Sequence, residues 1–469
     1  MYIISMSKKL GETIFALSTP SGQSAVAVIR ISGSKALNIA KKISNVKKFE
    51  PRKAIFSKIL DFEGNTIDSG LVIYFKSPKS YTGEDLIEIQ SHGSMAVTSK
   101  ILNELNKFQN TRPANPGEFS MRAYRNNKQN LLYYEGLNNL ISAETETQRI
   151  VASRQTFGNS ENILRRWRDQ LLENIAILDA EIDFSEDQND YNLDKVKNSL
   201  KFINKKMINT IESSENNQRI ISGENILIFG PTNAGKSTLF NFLCQEDLMI
   251  TSSQMGTTTD QSSKTLNLLG KKVTITDSAG LRISKNLIEK KGIRKTQESL
   301  NINKYFILVL SSDSYTNKNA EILKKILINL TEKNVIIIFN KIDLDGFEKK
   351  KDNWFKKIEG LKKFKTLKVS LLKNKTNSNL LTKISKFIDK ELIKLDLLNT
   401  ENFLFSERRQ IHIIEQTRKY LNHALENFDE IEIACNYLNS AVKKLDELYG
   451  RNDPENKLGL IFSKFCIGK

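Results

Sequence analysis

The stretch that decides the fold of the central part of the chain is NILIFGPTNAGKSTLFNFL, Asn225 to Leu243. It joins a short apolar run, NILIF, to the loop Gly230 to Ser237, which matches GxxxxGK[ST], and then to a helical run. A loop of this kind turns its backbone N–H groups and a helix N-terminus towards phosphate oxygens. The sequence therefore predicts a P-loop between a strand and a helix, rather than a chance glycine-rich turn.

The residue types in this loop predict how a nucleotide is held. We expect Lys236 to reach the β and γ phosphates and to act in catalysis, and the Ser237 hydroxyl to ligate Mg²⁺. The expected nucleotide contacts in this segment are Asn233, Ala234, Gly235, Lys236, Ser237 and Thr238.

Two later motifs follow apolar runs that read as strands. Asp277, Ser278, Ala279 and Gly280 end the run KVTITD, which puts a carboxylate at the sheet edge where it can hold Mg²⁺ through water. Asn340, Lys341 and Asp343 follow VIIIF, and the carboxylate can accept hydrogen bonds from guanine N1 and N2. Adenine lacks that donor pair, so GTP is favoured over ATP and an ATP-dependent kinase is disfavoured.

Between these motifs lies the polar stretch Gly256-Thr257-Thr258-Thr259. Small GTPases place there a threonine that closes on Mg²⁺, and we expect Thr258 to do so, although an ordinary polar loop is the alternative. Leu281 stands where Ras-type enzymes carry a water-orienting glutamine, so another group must position the attacking water.

The pattern of apolar residues divides the chain into four segments. Residues 1–125 read as strands between turns, 126–222 as helix, 223–379 as an α/β unit, and 380–469 as helix again. We therefore expect a multidomain protein with an α+β N-terminal domain and a helical domain into which a P-loop, Ras-like α/β domain is inserted.

Composition bounds the functional class. The 469 residues are 39% hydrophobic and 27% charged, as in soluble globular proteins, and no apolar run is long enough for a membrane helix, so a cytoplasmic protein without membrane contact is expected. The three cysteines lack zinc or disulfide spacing. The charge excess, 71 − 54 = 17, favours a polyanionic partner, but a solvated lysine-rich face such as Phe347 to Lys365 explains it equally well.

Strings at both ends carry a specific resemblance. The chain ends in FCIGK, and its N-terminal part contains TPSGQSAVAVIRISG, SYTGEDLIEIQSHG and PGEFSMRAYRNNK. With the central motifs, these strings resemble the MnmE family of tRNA-modifying GTPases, also called TrmE, over essentially the whole chain.

The resemblance implies an activity, cofactors and partners. Family members act with the flavoprotein MnmG, which carries FAD, to install a carboxymethylaminomethyl-type group at carbon 5 of the wobble uridine of certain tRNAs. A 5-formyl- or methylene-tetrahydrofolate supplies one carbon. By matching motif, Arg30, Glu88, Lys128 and Lys469 would line the folate site, and Cys466 would take part in the chemistry.

The resemblance also implies a homodimer whose nucleotide domains close around K⁺. The expected K⁺ ligands are Asn233, Ser252, Gln254 and Thr257, and Glu289 would orient the water. The remaining expected nucleotide contacts are Ser252, Ser253, Gln254, Met255, Gly256, Thr257 and Thr258.

This chain departs from the family pattern at four positions. Thr259 replaces an arginine, Ser278 a threonine, Asn130 an aspartate and Leu371 an alanine. A second hypothesis, a GTP-driven ribosome-assembly or RNA-binding switch, explains the central motifs and the charge, but neither the N-terminal strings nor FCIGK.

Overall fold

The computed structural model describes residues 11–158, 160–184, 192–244, 248–250, 263–277, 303–328, 330–372, 378–393, 405–450 and 455–468. The chain divides into two compact units. The first comprises Met1–Asn138, Thr156–Met207 and His412–Lys469, and the second comprises Asn139–Gln155 and Ile208–Ile411. The predicted domain boundaries near residues 125, 222 and 379 stay a prediction.

The first unit contains a six-stranded sheet with the order β3-β4-β5-β2-β1-β6. Its strands are β1 (Thr13–Leu17), β2 (Ser24–Ser32), β3 (Ala54–Leu60), β4 (Thr66–Phe75), β5 (Leu86–Gly93) and β6 (Thr111–Pro113). All neighbouring pairs are antiparallel except β1 with β6. The predicted N-terminal strands are thus confirmed.

One face of this sheet forms the core with helices α1 (Ala36–Ile43) and α2 (Met95–Asn106). Alternate residues of β2 and β5, such as Ile29 and Ile87, are fully buried in this core. Because side chains alternate along a strand, Arg30 and Glu88 lie on the opposite face, where they are directly paired in register. The strand period therefore sets two charged residues side by side on the face away from α1 and α2.

The helices that follow β6 belong to the first unit either wholly or only in part. In chain order, the helices after β6 begin with α3 (Glu118–Arg125), α4 (Leu131–Ile141), α5 (Glu146–Phe157), α6 (Ser160–Asp183) and α7 (Leu193–Ser222). An aromatic cluster that includes Tyr134, Phe462 and Phe465 is buried in this unit.

The second unit contains a six-stranded sheet with the order β12-β11-β10-β7-β9-β8. Its strands are β7 (Glu224–Phe229), β8 (Ser263–Leu268), β9 (Lys271–Asp277), β10 (Tyr305–Ser311), β11 (Val335–Asn340) and β12 (Lys365–Lys368). Among the described strands of this second sheet, only β8 runs antiparallel to its neighbour. The predicted strands NILIF, KVTITD, FILVL and VIIIF are β7, β9, β10 and β11.

Helices cover both faces of this sheet, which confirms the predicted α/β class. Apolar residues of α8 (Lys236–Leu243) and α11 (Ser378–Ile388) pack on one face, and those of α9 (Asn317–Leu327) and α10 (Phe347–Lys357) on the other. The remaining helical elements are the 3₁₀ turn Leu361–Lys363, the π turn Asp389–Ile393, α12 (Arg408–Glu426), α13 (Ile431–Leu448) and α14 (Glu455–Phe462). Within the described residues, no helix is long and apolar enough to cross a bilayer.

A buried ion-pair network fastens α3 to the first sheet. Arg112 Nη2 lies 2.6 Å from Glu118 Oε1, and Arg122 Nη2 lies 3.1 Å from the same oxygen. Burial alone would raise the pKa of Glu118, but the hydrogen bond from Arg112 and the charges of both arginines lower this pKa below its usual value. The ionised carboxylate is therefore the form that the folded protein stabilises.

We expect Glu118→Gln to lower the free energy of opening of the first sheet by about 2–4 kcal/mol, because two guanidiniums lose their buried counter-charge. Since the folded pKa is lowered, the stabilisation in the wild type is present at neutral pH and is lost as the pH falls through that pKa. Hydrogen exchange of peptides containing β1 and β6 measures the change.

Glu146→Gln is the matched control, because Glu146 pairs with Arg149 at 2.7 Å on an exposed surface where such pairs contribute little. Equal protection of β1 and β6 in the two variants would show that the network does not stabilise the sheet.

Candidate functional site

The P-loop follows β7 at the carboxyl edge of the second sheet, and its backbone leaves no room for side chains at two glycines. Gly230 has φ 145°, and a Cβ there would lie 2.2 Å from the Val309 carbonyl oxygen. Gly235 has φ 99°, and a Cβ there would lie 2.2 Å from Asn340 Nδ2. Asn233 also adopts a left-handed conformation, with φ 61°, and is exposed. Glycine at the two close approaches lets the loop fold tightly against β10 and β11.

The expected magnesium ligands lie together. Ser237, at the start of α8, donates a hydrogen bond from Oγ to Asp277 Oδ2 at 2.7 Å. Asp277 ends β9 and is buried, whereas Ser237 is exposed. A hydroxyl and a carboxylate at this spacing form the all-oxygen environment that Mg²⁺ prefers, so the residues fit the ion.

The P-loop lysine lies within its own loop. Lys236 Nζ donates to the Pro231 carbonyl oxygen at 2.8 Å. Burial lowers the pKa of Lys236, and the charge of Asp277 partly offsets this effect. An anion bound in the loop would stabilise the charged ammonium against that burial.

Asn340 joins the P-loop to the loop after β12. Its Nδ2 donates to the Ala234 carbonyl oxygen at 3.1 Å, and its Oδ1 accepts from the Leu371 N–H at 3.1 Å. The side chain of Leu371 is buried in the apolar cluster that contains Ile338 and Val369. The core therefore accommodates the leucine that departs from the family pattern.

The two charged residues of the NKID motif are held by residues that sequence reasoning missed. Asp343 is exposed and accepts a hydrogen bond from Ser370 Oγ at 2.5 Å. Lys341 Nζ lies 2.7 Å from Oδ2 of Asp313, which is in the turn after β10. Isolated serines and aspartates in loops gave no signal of these contacts, because the pairing depends on which strands are neighbours.

Several predicted residues lie outside the described part of the chain. They are Ser252, Ser253, Gln254, Met255, Gly256, Thr257, Thr258, Ser278, Ala279, Gly280, Glu289 and Lys469, together with the departure Thr259. Among the described residues, no group of three or more His, Cys, Asp and Glu side chains is arranged to hold a metal ion.

The first unit brings together two of the residues expected at the folate site. Arg30 Nε donates to Glu88 Oε1 at 2.8 Å, and both side chains are mostly buried. The Arg30 guanidinium lies 5.4 Å from the centre of the Tyr81 ring. Tyr81 is partly buried, and its hydroxyl is 2.7 Å from Ser120 Oγ. The removal of this hydroxyl from water is the main reason that the pKa of Tyr81 is raised.

Lys128 touches a neighbouring loop rather than that ion pair. Its Nζ donates to the Pro78 carbonyl oxygen at 2.8 Å in an exposed position. The nearby departure Asn130 accepts the Tyr133 N–H at 3.0 Å and so caps the N-terminus of α4. An amide performs that capping as well as a carboxylate does, so Asn130 keeps a structural role here.

The segment that contains Cys466 packs against the N-terminal sheet within the same unit. Cys466 is exposed, and its carbonyl oxygen accepts the Gly117 N–H at 3.3 Å. The Gly468 carbonyl oxygen accepts hydrogen bonds from Arg30 Nη1 at 3.2 Å and Ser18 Oγ at 3.1 Å. The structure thus brings Arg30, Glu88 and the Gly468 carbonyl oxygen to one place. Ser18 and Tyr81 also belong to this site, although the sequence did not reveal them.

Comparisons with known proteins agree with this architecture. The protein-family model described as GTP-binding protein TrmE N-terminus matches residues 13–128. The family model described as MnmE helical domain matches residues 131–466. The tRNA modification GTPase MnmE of Rickettsia bellii (strain RML369-C) is 36% identical over 466 residues, which cover 98% of this chain and 100% of the relative.

A second relative and one solved structure complete the comparison. The tRNA modification GTPase MnmE of Ehrlichia canis (strain Jake) is 34% identical over 467 residues, 97% of this chain and 99% of the relative. An Era variant from Aquifex aeolicus bound to GDP.AlF4⁻ is 22% identical over 42% of this chain and 66% of its own, with a TM-score of 0.27, a likeness that supports no inference. On the family models and the relatives, this chain belongs to the MnmE family of tRNA modification GTPases.

Proposed function

We propose that this protein hydrolyses GTP and, together with an MnmG-type flavoprotein that carries FAD, modifies carbon 5 of the wobble uridine of certain tRNAs with a carboxymethylaminomethyl-type group. The observation that supports this proposal best is the meeting of three motifs at one sheet edge. Ser237 contacts Asp277, and Asn340 contacts the P-loop at Ala234. Family membership supplies the tRNA substrate, which the site geometry alone does not specify.

The nucleotide roles follow from the chemistry of each group. Ser237 and Asp277 would hold Mg²⁺, directly and through water, and the ion would neutralise charge that develops on the phosphates. Lys236 and the N–H groups at the start of α8 would bind phosphate oxygens, with Asn233, Gly235 and Thr238 beside them. Asp343, held by Ser370, would accept the guanine N1 and N2 hydrogen bonds.

Attack of water on the γ-phosphate needs residues other than those that hold Mg²⁺, the phosphates and guanine. We propose that Glu289 would orient the water and that Thr258 would serve as a Mg²⁺ ligand, with Gly256, Ser278, Ala279 and Gly280 near the phosphates. K⁺ held by Asn233, Ser252, Gln254 and Thr257, with Ser253 and Met255 in the same loop, would add positive charge between the nucleotide domains of a homodimer.

The N-terminal unit would bind the tetrahydrofolate one-carbon donor. Glu88 suits the paired N–H donors of a pterin, and Arg30, Lys128 and Lys469 suit its carboxylates. The Arg30–Glu88 pair is mostly shielded from water, which strengthens such contacts. Cys466 would present its thiol beside this site. We also propose a cytoplasmic location, because the tRNA substrate is found there. The names of the relatives do not favour the alternative, a ribosome-assembly switch.

Loss of the protein should remove the carbon-5 modification from wobble uridines, because the proposed reaction depends on the one-carbon transfer that this protein performs. Mass spectrometry of nucleosides from cells lacking the protein, with and without its restoration, measures this change. An unchanged nucleoside profile would favour the ribosome-assembly switch instead.

Asp343→Asn should weaken GTP binding by about 100-fold or more, since the amide cannot accept both guanine hydrogen bonds. Xanthosine triphosphate should then bind better than GTP, because its carbonyl at carbon 2 accepts from the new amide N–H. Competition binding with GTP, ATP and xanthosine triphosphate measures both effects. Asp345→Asn, exposed in the same loop, should bind GTP normally; equal behaviour of the two variants would refute the guanine assignment.

Cys466→Ser should abolish tRNA modification while GTP binding and hydrolysis stay normal, because a hydroxyl is a much weaker nucleophile than a thiol. Wobble-nucleoside analysis and phosphate release measure the two activities. Cys244→Ser is the control, since burial raises the pKa of the Cys244 thiol to about 11 and makes it a poor nucleophile. Full modification by the Cys466 variant would remove the thiol from the mechanism.

A further inference from the structure

Cys466 lies between two fixed points on the first unit. On one side, Phe465 is buried in the aromatic cluster with Phe462 and Tyr134. On the other side, Gly468 is buried, although Cys466 and Ile467 between the two anchors are exposed. Two short peptide steps separate the thiol residue from the second anchor, so its Cα lies within about 8 Å of Gly468 Cα.

The second anchor accepts only glycine. Gly468 has φ 92°, and a Cβ there would lie 2.6 Å from the Leu17 carbonyl oxygen and 2.7 Å from Ser18 Cα. Both of these atoms are backbone, and the Ser18 N–H is itself hydrogen-bonded to the Val28 carbonyl oxygen at 2.7 Å. The backbone of Leu17 and Ser18 is therefore held by the hydrogen bonds of the sheet and cannot shift to admit a larger residue at position 468.

One carbonyl oxygen receives two donors at this anchor. Ser18 Oγ and Arg30 Nη1 both bind the Gly468 oxygen, at 3.1 and 3.2 Å. The same guanidinium binds Glu88 through Nε at 2.8 Å. The position of the tail is thus tied to the ion pair at which the proposed one-carbon donor binds.

We infer that Ser18 and Gly468 are positioning residues that, with Arg30, clamp the tail and hold the Cys466 thiol in front of the Arg30–Glu88 pair. This inference rests on the proposed function for its chemical purpose, but the clamp itself is testable without tRNA. Ser18 supplies the neutral donor and Gly468 the close approach. Arg30 links the clamp to ligand binding.

Hydrogen-exchange mass spectrometry of the full chain tests the clamp. Gly468→Ala should speed exchange of the peptide that covers Phe465 to Gly468 by about tenfold, because the new methyl group displaces the tail. Ser18→Ala should speed exchange of the same peptide by about fivefold, because one hydrogen bond is lost. Ser18→Thr should exchange at the wild-type rate, because it keeps the hydroxyl. Exchange of β1 and β2 should stay unchanged.

Matched controls separate the clamp from general effects of each substitution. Gly64→Ala places the same residue at a left-handed position, φ 86°, with nothing within 4 Å of the new Cβ. Ser463→Ala removes a hydroxyl that bonds locally to the Leu460 carbonyl oxygen. Both should leave tail exchange at the wild-type rate.

Activity completes the test. With the clamp broken, wobble-uridine modification should fall at least tenfold while the rate of GTP hydrolysis is unchanged, because the thiol has lost its position but the nucleotide site is intact. Unchanged tail exchange in Gly468→Ala and Ser18→Ala would overturn the clamp. Faster tail exchange with full modification would overturn its positioning role. A wild type that modifies no tRNA would instead overturn the proposed function and leave the exchange result to decide the clamp.

Discussion

The nucleotide site depends on one buried amide, that of Asn340, which hydrogen-bonds with both of its ends. Its nitrogen donates to the P-loop at Ala234 and its oxygen accepts from the loop after β12 at Leu371. A buried amide left without partners would cost about 1–3 kcal/mol, so each loop is held where Asn340 can reach it. Gly235 is needed for the same reason, since a Cβ there would occupy the place of the amide.

In the first unit, one charged side chain, that of Arg30, likewise contacts two groups. Arg30 binds Glu88 and the Gly468 carbonyl oxygen with different nitrogens of one rigid fork. A lysine would offer a single point charge and could not set the angle between a carboxylate and a backbone oxygen. The guanidinium therefore contributes both to the orientation of the ion pair and to the position of Gly468.

Two arginines around Glu118, Arg112 of β6 and Arg122 of α3 itself, have a structural role. Arg112 and Arg122 converge on Glu118, and Arg122 also reaches Glu84 at 3.0 Å. Glu118 is buried and shared by both arginines, so its removal would take the same counter-charge from each of them. The sheet edge at β1 and β6 is consequently fastened to α3 by electrostatics as well as by apolar packing.

The sequence by itself determined the α/β class, the P-loop and its guanine-type motif, and the N-terminal strands, because these depend on local periodicity and on short motifs with a fixed mechanism. It did not predict β8 or β12, whose short polar sequences SKTLNL and KTLK lack a clear strand pattern and form only by pairing with β9 and β11. Likewise, only the tertiary structure showed that Ser370 holds Asp343, that Asp313 pairs with Lys341, and that Ser18 and Arg30 share the Gly468 oxygen. Ser18 and Gly468 are 450 residues apart in sequence, and contacts of that kind are decided by which strands and loops the fold makes neighbours, a property that no local pattern contains.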